Sequence, residues 1–318
     1  MSIRFRGRTD VDLMTAVVEL QNITKFYGAF CALNDVSCSI PPGVTGLLGP
    51  NGAGKSTLIK ILLGLVRVSS GRAWVLGCEL PEGKTQIRSR VGYMPEDDCY
   101  FAGLSGVEAV RYLARLSGIP SREALRRAHE ILDFCDAGQE RYRDVETYST
   151  GMRQKVKFAA AMVHDPDLLI LDEPTAGLDP EERDRMLTRI GALAREAGKS
   201  ILISTHILPD VQATCDSVAF MAKGRIRMVE SLAVLSKPAE PAVHLRLLGS
   251  SERFQELAVR DGYQVESGSP GTLTIRPADE QLADRIWQWA RDAGVAVKSL
   301  VPSRNSLEQV FLECVREG

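Results

Sequence analysis

The run Gly49-Pro50-Asn51-Gly52-Ala53-Gly54-Lys55-Ser56-Thr57 sets a glycine-rich turn ahead of a lysine and two hydroxyl residues, directly after the apolar stretch Val44 to Leu48. A strand that passes through glycines into a helix turns successive backbone N–H groups and the positive helix end towards one point, an arrangement that holds phosphate oxygens. Lys55 adds a full positive charge for β- and γ-phosphates, and Ser56 offers a hydroxyl to Mg²⁺. The helix is predicted from Gly54 to about Gly64, with Leu58, Ile61, Leu62 and Leu65 forming one buried face behind the loop. A plain surface turn would not need that strand and helix around it.

Such a cradle serves kinases, GTPases and ATPases alike, so the later strand ends must discriminate. Leu168 to Leu171 is a continuous apolar run, the pattern of a buried parallel strand, and it ends in Asp172-Glu173. Alternation along that strand is expected to send the two carboxylates to different sides, with Asp172 holding the Mg²⁺ shell and Glu173 polarising the attacking water. Taken alone, a strand end capped by solvated acids explains them as well. A further apolar run, Ser200 to Ser204, ends in Thr205-His206, which places His206 on the same edge, within reach of the γ-phosphate or the water. By itself such a histidine is more often structural; its coincidence with Glu173 gives it meaning. Between these runs, Tyr148-Ser149-Thr150-Gly151-Met152-Arg153-Gln154-Lys155 leads into a helix, whose N-terminus attracts anions.

With these residues in order, the chain resembles the nucleotide-binding subunit of ATP-binding cassette (ABC) transporters over residues 14 to 230. Residues 149–154 stand where that family carries its LSGGQ signature. The resemblance implies that Ser149 and Gly151 bind the γ-phosphate of ATP held by a second copy, although Tyr148, Thr150 and Met152 depart from the family pattern. It also implies that Tyr27 stacks on adenine, with Phe26 a lesser alternative; a core tyrosine on the first strand is the plain one. Glu96 occupies the place of the family's glutamine and is expected near Mg²⁺. Asp179 is expected at the dimer face. The implied fold is a P-loop NTPase with a RecA-like parallel core, an antiparallel β-subdomain and a helical subdomain. The implied cofactors are ATP and Mg²⁺. The implied partners are a second copy and a separately encoded transmembrane permease of the ABC-2 export type, the last from the resemblance of Asn305 to Leu312 to the tails of such subunits. Localisation at the cytoplasmic face of the membrane follows.

Bulk properties are compatible with this. The chain has 318 residues, 44% hydrophobic and 25% charged, enough for two domains with cores. A formal net charge of −2 argues against non-specific nucleic-acid binding as its main business. Seven scattered cysteines without a C-x-x-C pair indicate neither a disulfide framework nor a zinc site. No apolar run approaches the ~18–20 residues of a membrane helix.

The expected organisation is a disordered extension over 1–13, with Met14 an alternative start, an ATPase domain over 14–235, a linker at 236–241 and a small domain over 242–318. Strand patterns at 17–26 and 31–40 predict an antiparallel sheet. Residues 97 to 147 read as mainly helical, with Val110, Leu113, Ala114, Leu116, Leu125, Ala128, Ile131 and Leu132 on apolar faces, while Arg122, Arg126 and Arg127 read as a solvated face. Beyond the linker the order β-α-β-β-α-β plus a last helix (305–316) suggests a ferredoxin-like α+β domain, with Leu282, Ile286 and Trp289 in its core. A soluble ABC-type ATPase without a permease, acting in translation, repair or assembly, is the alternative function. Against it stand the one uninterrupted cassette and the lack of sustained heptads. A small-molecule P-loop kinase would lack the Ser-x-Gly station and the His206 strand.

Overall fold

Alternating Val18, Leu20 and Ile23 against Leu33, Val36 and Ile40 give two long strands one buried face each, and they pair antiparallel as β1 (Val18–Tyr27) and β2 (Phe30–Ile40). The computed structural model describes residues 16–98, 101–235, 242–268, 271–278 and 281–302, with Leu307 and Phe311. The expected extension 1–13, the linker 236–241 and nearly all of the last helix lie outside these residues. Two compact units divide between Leu232 and Ala233.

In the first unit β1 and β2 join β4 (Ser70–Val75) and β5 (Cys78–Leu80) in a sheet of order β2-β1-β4-β5. The second sheet is built on β3 (Val44–Leu48), whose five residues are all buried as its unbroken apolar pattern requires. Its order is β10-β9-β3-β8-β7-β6, with β6 at Val91–Met94, β7 at Leu168–Asp172, β8 at Ser200–Thr205, β9 at Ser217–Ala222 and β10 at Arg225–Ser231. All its pairings are parallel except that of β10 with β9.

Helix α1 (Lys55–Leu62) lies in one core with both sheets, packing among Leu47, Ile170 and Leu202 on one side and Leu20, Ile23 and Leu33 on the other. Its buried apolar residues are Leu58, Ile59, Ile61 and Leu62, whereas Leu65, expected on this face, is 58% exposed. The helix stops at Leu62 and Gly64 turns left-handed at φ 62°, so residue 65 no longer follows the helical period.

The remaining helices of this unit are α2 (Lys84–Arg90), α3 (Gly106–Leu116), α4 (Ser121–Phe134), α5 (Thr150–Met162), α6 (Pro180–Ala197) and α7 (Leu208–Thr214), and α8 (Leu232–Leu235) runs into the division. On α3 and α4, Val110, Ala114, Ala128, Ile131 and Leu132 are buried as expected, but Leu116 and Leu125 are exposed. Arg122 and Arg126 face solvent, whereas Arg127 does not: it is 8% exposed and its Nε donates to the Val163 carbonyl at 3.3 Å. Packing of α4 on α5 brings this guanidinium to the C-terminal carbonyls of α5, where a cation is favoured.

The second unit contains β11 (Val243–Leu248), α9 (Glu252–Arg260), β12 (Gln264–Ser267), β13 (Thr272–Arg276), α10 (Leu282–Ala293) and β14 (Ala296–Pro302). Its sheet is antiparallel throughout in the order β12-β13-β11-β14, the split β-α-β arrangement. Leu282, Ile286 and Trp289 are buried in its core with Phe254, and the Trp289 indole donates to Asp261 Oδ2 at 2.9 Å.

Candidate active site

Strands β3, β8 and β7 are neighbours with level ends, since Leu48 pairs with Thr205 and Ser204 with Asp172. Three chain segments remote in sequence therefore leave one edge of the sheet together, at the carboxyl ends of parallel strands. The loop after β3 fits there through its glycines. A Cβ on Gly49 would lie 2.3 Å from the Met221 carbonyl oxygen, and Gly54, the cap of α1, sits at φ 104° where only glycine is relaxed. Lys55 is buried and its Nζ donates to the carbonyls of Gly49 at 2.7 Å and Pro50 at 3.3 Å. Burial lowers its pKa, partly offset by Glu173, Asp172 and Glu96.

A cavity of about 220 Å³ opens above this loop. It is lined by the loop residues Asn51, Gly52, Ala53, Gly54, Lys55, Ser56 and Thr57, and opposite them by Glu96, Asp172 and Glu173. Gly49 and Pro50, also expected at the phosphates, are not among the lining residues. Phe30 and Ala32 complete the lining. Tyr27 is not among the lining residues; it is 45% exposed beside Lys25, whose Nζ lies 4.9 Å from the ring centre. Phe26 is likewise exposed.

The expected alternation of Asp172 and Glu173 is not what separates them. Strand β7 ends at Asp172, and Glu173 has left it in a left-handed conformation, φ 48°, which turns its side chain back over the cavity. Both carboxylates are 4% exposed and line the same space. Burial raises the pKa of Asp172, with the neighbouring carboxylates adding to the rise. Glu173 is held at both oxygens: His206 Nδ1 is 2.8 Å from Oε1, and Thr205 Oγ1 donates to Oε2 at 3.3 Å. Thr205 Oγ1 also accepts from the Ile207 amide at 3.1 Å, which fixes the bend after β8.

Ser149, Gly151 and Asp179 stand apart from this cavity. Ser149 is exposed and caps α5, accepting from the Met152 amide at 3.2 Å, and Gly151 lies buried in the first turn behind it. Asp179 caps α6 by accepting from the Glu182 amide at 2.8 Å. Two side chains of α5 tie it to the segments around the cavity. Gln154 Nε2 donates to Ala176 O at 3.1 Å, behind Glu173, and the buried Lys157 Nζ reaches the carbonyls of Pro95 at 2.9 Å, Glu96 at 2.8 Å and Asp97 at 3.3 Å. A separate cavity of about 490 Å³ lies along α3 and α5, lined mainly by apolar groups such as Tyr93, Leu113, Val156 and Ala160.

Sequence reasoning missed Phe30, Thr205 and Lys157. Phe30 was within reach of it, because a two-residue turn, Gly28-Ala29, sets it directly across from Tyr27. Lys157 directly precedes the apolar run Phe158 to Val163, a position that draws its stem into the core and leaves its ammonium needing a buried partner.

Residues 33–176 match the family model described as ABC transporter. The Nod factor export ATP-binding protein I of Cupriavidus metallidurans is 37% identical over 213 residues, covering 67% of this chain and 70% of that protein. The daunorubicin/doxorubicin resistance ATP-binding protein DrrA of Streptomyces peucetius is 33% identical over 94% of this chain and 92% of its own length. Among solved structures, cbiO1 of Clostridium perfringens, part of the ABC transporter complex cbiONQ, is 28% identical with TM-score 0.62, covering 68% of this chain and 89% of its own. The dimeric, post-hydrolysis cassette MJ0796 bound to ADP and Pi shares the fold at TM-score 0.63 and 23% identity, covering 68% of this chain and 98% of its own.

Proposed function

The chain belongs to the ABC transporter family as an ATP-binding, ATP-hydrolysing subunit, and from that premise we propose that two copies close on two ATP molecules to drive a separately encoded permease of the ABC-2 export type. The observation that carries this reading is a division within one chain. The phosphate loop, Asp172 and Glu173 converge on one cavity, with His206 not lining it but bonded to Glu173, while Ser149, Gly151 and Asp179 present capped helix ends elsewhere. Each ATP lies between the loop of one copy and Ser149 and Gly151 of the other, with Asp179 at the seam.

Within each site the amides of 50–57 and the Lys55 ammonium bind the phosphates. Phe30, and Tyr27 across the turn, stand beside the base. Ser56, Asp172 and Glu96 offer oxygen donors that suit Mg²⁺, and among the described residues no group of three or more His, Cys, Asp or Glu could hold a metal without the nucleotide. A buried carboxylate whose charged form is disfavoured, as Asp172 is, fits a site completed by a cation. When bound, Mg²⁺ neutralises charge on the β- and γ-phosphate oxygens. Glu173 accepts a proton as the water oxygen bonds to the γ-phosphorus and the bond to the bridging oxygen breaks, giving ADP and phosphate. His206 and Thr205 hold that carboxylate in register.

The permease supplies the membrane part, since no helix among the described residues is long and apolar enough to cross a bilayer. In this reading the apolar cavity along α3 and α5 receives a segment of it, with this chain at the cytoplasmic face. Export is favoured by the relative named as a Nod factor export ATP-binding protein, and the resistance protein DrrA and the bacitracin transport protein BcrA of Enterococcus faecalis, 29% identical over 96% of this chain and 98% of its own length, are compatible with it. The ATPase domain is taken as 14–235 and the small domain as 242–318.

Glu173→Gln tests the reading. It removes the base but keeps a hydrogen-bonding side chain, so turnover falls about 10²–10⁴-fold while ATP binding persists. Sedimentation with Mg-ATP then shows a stable dimer; a variant that binds ATP and stays monomeric rules out the clamp.

A further inference from the structure

Tyr148 directly precedes Ser149, at a position where the family pattern has leucine, and the structure gives its additional hydroxyl two partners. The Gly106 amide donates to it at 3.2 Å, and it donates to the Glu140 carbonyl at 2.8 Å. The residue is 4% exposed. Burial also raises the phenol's pKa, so it keeps the proton it donates.

Each partner belongs to a different part of the helical region. Gly106 is the first residue of α3, and its amide is one of those a helix cannot satisfy internally. Glu140 lies in the tight turn Gly138–Tyr142 that follows α4. The start of α3 is already fixed by Ser105 and Glu108, which cap each other's backbone amides. Tyr148 thus joins a rigid helix start to the first turn of α5. Space is as restricted as the hydrogen bonding: a Cβ on Gly106 would lie 2.5 Å from the Tyr148 hydroxyl, with its next neighbours, Arg141 O and Val156 Cγ2, at 3.3 Å. Leu113, further along α3, lines the apolar cavity.

We propose that Tyr148 is a positioning residue whose hydroxyl locks the first turn of α5, with Ser149 and Gly151, to the start of α3. The wall of the permease cavity and the surface offered to the second copy's ATP then move together. This rests on the sandwich reading above, deepening it by naming the link between the two interfaces.

The experiment uses the full chain carrying Glu173→Gln as parent. Tyr148→Phe in that parent leaves ATP affinity of the monomer unchanged and raises the protein concentration needed for ATP-dependent dimers about tenfold, the effect of losing a buried hydrogen-bonded hydroxyl. Amide hydrogen exchange over residues 149–153 speeds by about the same factor, while β3 and β7 amides exchange at the parent rate. Gly106→Ala alone also weakens dimers, because its methyl group drives the hydroxyl away. Added to Tyr148→Phe it changes them less than about twofold, since the obstructing oxygen is gone. Parental dimerisation and exchange in Tyr148→Phe, or equal damage by Gly106→Ala in both backgrounds, would overturn the proposal. A parent that fails to dimerise counts against the sandwich, and the exchange rates over 149–153 then decide the lock by themselves.

Discussion

The loop from Gly49 to Thr57 lies behind a strand buried along its whole length, and its lysine donates to the loop's own carbonyls. Ser149, by contrast, sits exposed on a helix end whose position depends on side chains reaching out to other segments: Tyr148 to Gly106 and Glu140, Gln154 to Ala176, and Lys157 to the carbonyls of 95–97. The first region is made rigid by backbone pairing and core burial. The second sits at the end of a helix whose body is buried through Val156, Phe158, Ala159 and Met162, but it is joined to α3 and to the segments around the cavity by polar contacts, and such contacts are exchanged at a smaller free-energy cost than a core is opened. In the proposed sandwich, a site divided in this way keeps nucleotide binding constant while its second half moves.

The contrast breaks first at Lys55. Lys55→Ala is expected to abolish detectable ATP binding by calorimetry, because among the described residues no other lysine lines the cavity, yet to leave the fold intact by circular dichroism. Retained micromolar affinity would show that the loop backbone alone binds the phosphates and that the rigid half is misassigned.

A smaller effect sharpens the account from the other direction. Burial raises the pKa of Asp172 in the folded state above that of the unfolded chain, so the ionised carboxylate costs stability. That cost is absent below the ordinary aspartate range, grows as pH rises from there to the raised folded value, and is constant above it. Asp172→Asn removes it and is expected to stabilise the nucleotide-free protein by about 1 kcal/mol at pH 7. The gain disappears at acid pH, where Asp172 is protonated, and urea unfolding at the two pH values measures it. Destabilisation at pH 7 would mean that the carboxylate is satisfied by contacts that an amide cannot reproduce.

Much of this molecule is legible in its sequence. The phosphate loop is a local pattern, glycine spacing followed by an amphipathic helix, and buried strands such as Leu168 to Leu171 announce themselves by unbroken apolarity. The split β-α-β order of the second unit followed from alternating strand and helix patterns in the same way. What sequence could not supply were features set by tertiary approach. Glu173 owes its direction to a left-handed φ after the strand, which no alternation rule contains. Arg127 is covered by the end of α5, a contact across 36 residues. Phe30 enters the cavity because a two-residue turn folds it back across from Tyr27, and a motif centred on Tyr27 passes over it. Leu65 was misplaced by extending the helical period one turn past its glycine stop.

Mixing two defective chains tests the central claim most directly, because Lys55→Ala damages the cavity half and Ser149→Ala damages the capped-helix half. Each variant alone has both of its sites incomplete and hydrolyses ATP near background. Combined in equal amounts, half of the dimers are hybrids with one intact pocket, and the ATPase rate should recover to about a quarter of that of the unmodified chain. No recovery above the two parents measured separately, or full activity of Ser149→Ala as a monomer, would contradict a site shared between two copies.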